Sequence, residues 1–197
     1  MNHFPQVRIL WKHYYGPDHL LSNLTFGEFR AAIEEMNDYF DSKDEHQLSR
    51  MIACLYRPQR KGYKQLQKSE DFDGDRRQPF NRAMIDRHAL ALDKAPAVFR
   101  QAVLLWFTFT IDYIQKEDLI LGGRQVNFKR LFPRAESGRK DLKQAGSGWT
   151  GVLYQVAKEG VFGNIKDTDQ AAMFDILLYM HDQDVENEKI RRKMKKK

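Results

Sequence analysis

Residues 146–151 read Gly-Ser-Gly-Trp-Thr-Gly, a literal G-x-G-x-x-G of the kind that cradles a dinucleotide. That chemistry needs a strand before the glycines, a helix after them and an acidic residue about 20 positions on, so that the pyrophosphate meets a helix N-terminus. The preceding stretch, residues 137–144, is Ser-Gly-Arg-Lys-Asp-Leu-Lys-Gln, with no apolar run. Downstream, Met173, Phe174, Leu177 and Leu178 keep a helical period. Trp149 also puts the largest side chain where backbone would have to approach phosphate. The segment reads better as a helix start. Ser147 or Thr150 would cap it, Trp149, Val152, Leu153 and Val156 would pack, and Gly160 would end it in a left-handed C-cap.

Other residues with chemical potential are arranged without a site. Asp71-Phe-Asp-Gly-Asp75 resembles the opening of a calcium loop, but its glycine stands fourth rather than sixth and Arg82 occupies the place of the bidentate glutamate. It reads as a turn. The histidines, His3, His13, His19, His46, His88 and His181, never pair at three- or four-residue helical spacing, so no zinc site is spelled out locally. No G-x-S-x-G elbow occurs. The single cysteine, Cys54, excludes an internal disulfide and sits among Met51, Ile52 and Leu55 as a buried, inert thiol would. No catalytic, cofactor-binding or metal-binding residue is assigned, and a non-enzymatic protein without cofactor is expected.

Stepping outward, the elements that would carry any site are helical. Thr25-Phe-Gly-Glu28 has the form of a capping box, and Phe26, Phe29, Ile33, Met36 and Phe40 follow at steps of three and four. Ser42-Lys-Asp-Glu45 is a second such box before Leu48, Met51, Ile52, Leu55 and Tyr56, with Pro58 as the stop. The two helices are expected to form an antiparallel hairpin. Residues 57–78 lose the apolar period and read as an exposed, mobile loop, as do residues 133–146. Pro79 is placed in the first turn of a third helix bearing Phe80, Met84, His88 and Ala91, and Pro96 in that of a fourth. Gly122-Gly123 breaks the pattern. Val7, Ile9 and Trp11 alternate with Gln6, Arg8 and Leu10, so a short strand is allowed near the start, and another over residues 126–132. The expectation is an all-α fold: one irregular helical domain, residues 1–188, of five to seven helices with at most one short strand or hairpin. A basic tail, residues 189–197, follows.

With 197 residues, 42% of them hydrophobic, the chain can bury a sizeable core. Residues 95–114 are the most apolar and approach the length of a membrane span, but Arg100, Gln101 and Asp112 interrupt them. Apolar on nearly every face, this helix is expected at the centre of the core, with Ala97 to Tyr113 the most buried. No secretory signal is visible, which places the protein in the cytoplasm. The net charge of +6 is unevenly spread. Residues 57–82 hold eight basic and four acidic side chains, residues 122–143 seven and two, and residues 189–197 seven and none. Because the excess lies in loops and a tail while residues 34–45 and 167–188 are acidic, nucleic acid is not expected as a partner.

Leu24-Thr-Phe-Gly-Glu-Phe29, Ile52-Ala-Cys-Leu-Tyr-Arg-Pro58, Phe72-Asp-Gly-Asp-Arg-Arg-Gln-Pro-Phe80 and Trp149 through Val161-Phe-Gly163 to the helix at residues 173–180 carry a resemblance. Across most of the chain this pattern resembles small helical proteins of tailed phages and prophages of Bacteroidetes-like hosts, and among them the tail assembly chaperones. The resemblance implies a protein that binds the tape-measure protein and tail-tube subunits in the bacterial cytoplasm during virion assembly, and that can self-associate. A structural phage component, such as a head-to-tail connector or minor tail protein, and a basic helical nucleic-acid-binding protein are the alternatives. The residues put forward for partner contact are Lys189, Arg191, Arg192, Lys193, Lys195, Lys196 and Lys197, whose like charges disfavour burial.

Overall fold

The structure is a computed structural model that describes residues 4–70, 72–132 and 148–195. The chain divides into two compact units, Met1–Phe109 and Thr110–Lys197. The first opens with strands β1 (Gln6–Ile9) and β2 (Lys12–Tyr15), followed by helices α1 (Phe26–Ser42) and α2 (Glu45–Leu55), strand β3 (Arg57–Pro58), and helices α3 (Tyr63–Leu66) and α4 (Ile85–Leu92). Helix α5 (Ala97–Lys116) begins in the first unit and ends in the second. Strands β4 (Asp118–Leu121) and β5 (Arg124–Asn127) and helices α6 (Gly148–Glu159), α7 (Ile165–Gln170) and α8 (Met173–Met194) complete the second unit.

The expectation of an all-α fold is overturned. Among the described residues, five strands form two antiparallel sheets beside eight helices, which makes the protein mixed α/β. In the first sheet β2 lies between β1 and β3, with Val7 opposite Tyr14 and Tyr15 opposite Arg57. The second is the β4–β5 hairpin, whose two-residue turn is Gly122-Gly123. Both glycines have positive φ, 57° and 78°, as a tight hairpin turn requires and other residues resist. The alternation near the start marks β1, and that over residues 126–132 touches the end of β5; the other strands escape the sequence reading because each has only two to four residues, too few for a period-2 pattern to stand out.

Helices α1 and α2 do form an antiparallel pair. Glu35 binds Arg50 at 2.7 Å and Glu28 binds Arg57 at 2.6 Å, so positions advance along α1 as they retreat along α2 and its exit. Phe26, Phe29, Leu48, Met51, Ile52, Leu55 and Tyr56 are fully enclosed between the elements of this unit. The caps differ from expectation. The Thr25 hydroxyl accepts the Glu28 N–H, but the Glu28 carboxylate is turned inward to arginines instead of back to the cap. The N-cap of α2 is Asp44, not Ser42, and Asn81 rather than Pro79 opens the turn before α4. A reciprocal capping box does occur, at Asn164 and Asp167 before α7.

Residues 57–78 match the expected exposed loop in their middle, where residues 61–70 are exposed apart from Tyr63, but not at their two ends. Arg57 is 2% exposed and Arg77 is completely enclosed. Arg77 donates twice to Asp75, at 2.8 and 3.0 Å, and to the carbonyls of Leu55 and Asn23; Arg57 donates to Glu28 and to the carbonyls of Cys54 and Gln78. Buried cations persist only when paired and hydrogen-bonded, and here Glu28 serves both. Residues 133–146, the other expected loop, lie outside the described residues, as do the first two residues of the G-x-G-x-x-G. Its last four residues open α6: Gly148 has φ 51°, and Leu153 and Val156 further along are buried. Gly160 then stands in the left-handed region, φ 76°, as the C-cap argument predicts.

Candidate functional site

The most apolar helix is only partly covered. Of the 18 residues in the strongest window of α5, whose mean hydropathy is 1.2, 33% are buried. By length and composition alone it could cross a membrane, but Val103 and Phe107 are enclosed, Phe99 meets Tyr56 edge-on at 5.5 Å, and Arg100 binds Glu45 at 3.1 Å. One face thus packs on the first unit. Along the other, Val98 is 82% exposed, Leu105 58% and Phe109 70%, with half-covered Ala102 between them. Steps of four, three and four put these four residues on a single stripe about 17 Å long. The expectation that α5 is the most buried helix fails for a physical reason: all-round apolarity calls for cover on every side, and the described residues cover one.

A second feature of the first unit is a cleft of about 700 Å³ between the β1–β2 hairpin, β3 and α4. Trp11, Lys12, Tyr14, Tyr15, Lys61, Arg87 and His88 line it with several apolar side chains, and no carboxylate does. Tyr14 and His88 are 4% and 8% exposed and meet edge to face at 6.0 Å. Burial pushes the Tyr14 hydroxyl up, and burial, reinforced by Arg57, Arg87 and Lys12, pushes the His88 imidazole below its ordinary value. Next to the cleft, Arg76 stacks 3.9 Å above the Tyr15 ring and also faces Tyr63.

The depressed His88 fixes a pH dependence. A base with a lower pKa folded than unfolded binds more protons when unfolded, so stability falls as the pH drops through the ordinary histidine value near 6.5. His88→Gln is expected to lose less melting temperature than the parent between pH 7.5 and about 5.5. Identical pH profiles by differential scanning fluorimetry would refute the assignment.

Cys54 is the buried thiol the sequence implies, and the acidic run engages its own arginines, forming no metal-ligand set among the described residues. Asp73 accepts from Arg60 and from the Asp75 N–H, and Asp75 from Arg77, so the acidic turn spends these carboxylates on its own arginines; Asp71 lies outside the described residues. No cluster of three potential metal ligands exists among the described residues. Cys54 is enclosed and burial pushes its thiol far up, away from thiolate reactivity. The final basic segment is not separate from the acidic helix before it: α8 runs unbroken to Met194. Arg192 pairs with Glu188, while Lys189, Arg191, Lys193 and Lys195 have no ion-pair partner among the described residues. Lys196 and Lys197 lie outside them. The acidic side of α8 is already engaged, Asp182 by Arg124 at 2.8 Å and Asp184 by Arg130 at 3.0 Å. Because all of residues 189–195 are exposed, deleting residues 189–197 is expected to shift the melting temperature by no more than about 3 °C. A truncated protein that aggregates or melts much earlier would show that α8 needs its last turns.

Neither the α5 stripe nor the cleft was anticipated from sequence. The stripe was hidden because apolar spacing does not say which faces find partners. The Lys12-His-Tyr-Tyr15 run, cationic and aromatic within four residues, was the available signal for the cleft. Searches against protein-family models, curated proteins and solved structures return no match.

Proposed function

We propose that the protein is a non-enzymatic assembly factor that holds an apolar, amphipathic helix of a partner chain against the α5 stripe. The observation that carries this reading is the row of Val98, Leu105 and Phe109, three large apolar side chains exposed along one stripe of the helix, because such an aligned apolar surface on a folded chain marks a face meant for cover. A stripe with helical spacing suits a helix laid alongside it. The resemblance to tail assembly chaperones supplies the partner class: the long, helix-rich tape-measure protein, kept from aggregating before tail assembly. The unpaired cations at residues 189–195 would then speed encounter with an acidic partner more than they add affinity.

Co-expression tests this reading. The chain is expected to raise the soluble yield of the tape-measure protein from the same genome and to co-purify with it. Burying a leucine or phenylalanine contributes about 1.5–3 kcal/mol, so the exposed pair change Leu105→Glu with Phe109→Glu should weaken the complex by at least about 100-fold. Unchanged solubilisation by the double variant would defeat the proposal. A parent dimer that the double variant makes monomeric would reassign the stripe to self-association, and flotation with lipid vesicles would reassign it to a membrane surface.

A further inference from the structure

The cleft of the first unit has a chemistry that the α5 stripe lacks. Its lining cations, Lys12, Lys61 and Arg87, have no ion-pair partner among the described residues, and no carboxylate lies in the wall to neutralise them. Tyr14 and His88, both more than nine-tenths buried, make no hydrogen bond among those residues, although each has a polar edge in the cleft. Their polar atoms are not among the enclosed ones, so a hydroxyl and an imidazole are open to a ligand with donors and acceptors. At the mouth the hairpin tip holds Leu10 in the left-handed region, φ 55°, and leaves Trp11 77% exposed. The two-residue turn between Ile9 and Lys12 requires that positive φ, and it is what projects the indole outward. Indole, phenol and guanidinium planes beside unpaired cations match a flat ring that carries negative charge. His88, whose pKa is lowered by burial and then by Arg57, Arg87 and Lys12, can hydrogen-bond a base edge without adding a further charge.

We propose that this cleft binds an unpaired nucleobase together with the phosphates beside it, the base stacking on Trp11, its edge meeting Tyr14 and His88, and the phosphates resting on Lys12, Lys61 and Arg87. A free nucleotide and a single-stranded nucleic acid share this chemistry. Apolar surface alone would suit a peptide, but the absence of any carboxylate in the lining and the three unpaired cations favour a phosphate-bearing ligand. A duplex, whose bases are stacked inside, offers the phosphates without the ring.

Fluorescence anisotropy of a labelled oligothymidylate about 15 nucleotides long, a length that an open aromatic groove can span, tests the proposal on the full chain. Saturable binding is expected, with log affinity falling against log salt at a slope of about −2 for three phosphate contacts on a single strand. Trp11→Ala should weaken it about 5- to 100-fold, as loss of one stacked base does. Arg87→Gln should reduce the slope by about 0.7. Trp11 and Arg87 are both exposed, so these variants keep the fold, which circular dichroism verifies. Deleting residues 189–197 should leave the Trp11 and Arg87 effects intact. Competition separates the sources: displacement by thymidine monophosphate at similar concentration identifies a free-nucleotide site, and failure of the mononucleotide to compete identifies a single-strand site. The proposal is overturned if no oligonucleotide or nucleotide binds at low salt, if pyrophosphate or a duplex competes as well as the ring-bearing ligands, or if binding survives both cleft variants and is lost with the tail.

Discussion

Arg77→Met is expected to destabilise the protein by about 3–5 kcal/mol, the typical consequence of removing one partner from a buried ion network. Arg77 has no exposed surface and is the link between Asp75, Glu28 and the carbonyls of Leu55 and Asn23. Methionine fills much of the same volume, so the loss reports charge and hydrogen bonding more than packing. Without the guanidinium, Glu28 keeps only Arg57, and its Oε2, which has no hydrogen-bond partner and only the 3.2 Å ion contact with Arg77, is left in an enclosed site. Burial acts to lower the Arg77 pKa, but Glu28 and Asp75 outweigh it and hold the guanidinium charged. Urea denaturation measures the effect as a lower midpoint at unchanged m-value. The exposed pair Arg124–Asp182 is the control, and Arg124→Met should leave the midpoint where it was. A loss at Arg77 below about 1 kcal/mol would mean that the network relaxes or admits water, and the view of residues 57–78 as a segment locked at both ends would fail.

Gly16→Ala is the second large effect. A Cβ at that position would lie 2.6 Å from Tyr56 Cζ and 2.9 Å from its hydroxyl oxygen, well inside contact distance. The Tyr56 ring cannot swing away, because it is fully enclosed, its hydroxyl donates to the Phe4 carbonyl at 2.6 Å, and its edge packs on Phe99. The Gly16 backbone is equally constrained, since its N–H donates to the Pro5 carbonyl at 2.9 Å. Overpacking of this kind costs about 1–3 kcal/mol, and losing the tyrosine hydrogen bond adds about 1 kcal/mol. Thermal unfolding should therefore occur roughly 5–15 °C lower for a chain of this size. A shift of less than about 2 °C would show that the β2 exit moves freely and that the cleft wall it supports is soft.

What the residues by themselves determined is local. The threes and fours of Phe26, Phe29 and Ile33 and of Leu48, Met51 and Leu55 specify two amphipathic helices, because burial of one stripe is the only arrangement that removes them from water. Gly160 ends α6 in the left-handed region because no other residue enters it as readily. The dinucleotide motif is set aside on sequence because residues 137–144 before it carry no apolar run from which the required strand could be built. Tertiary structure decided the rest. Glu28 reads as a capping residue until Arg57 and Arg77, 29 and 49 positions later, reach its carboxylate; no local pattern encodes a partner so distant in sequence. The short strands form because antiparallel neighbours supply hydrogen bonds that four residues cannot supply for themselves. Helix α5 shows the difference most plainly. Its composition fixes that it is a helix apolar on nearly every face, but which face is covered depends on the surfaces folded beside it, and Val98, Leu105 and Phe109 are the face the described residues leave open.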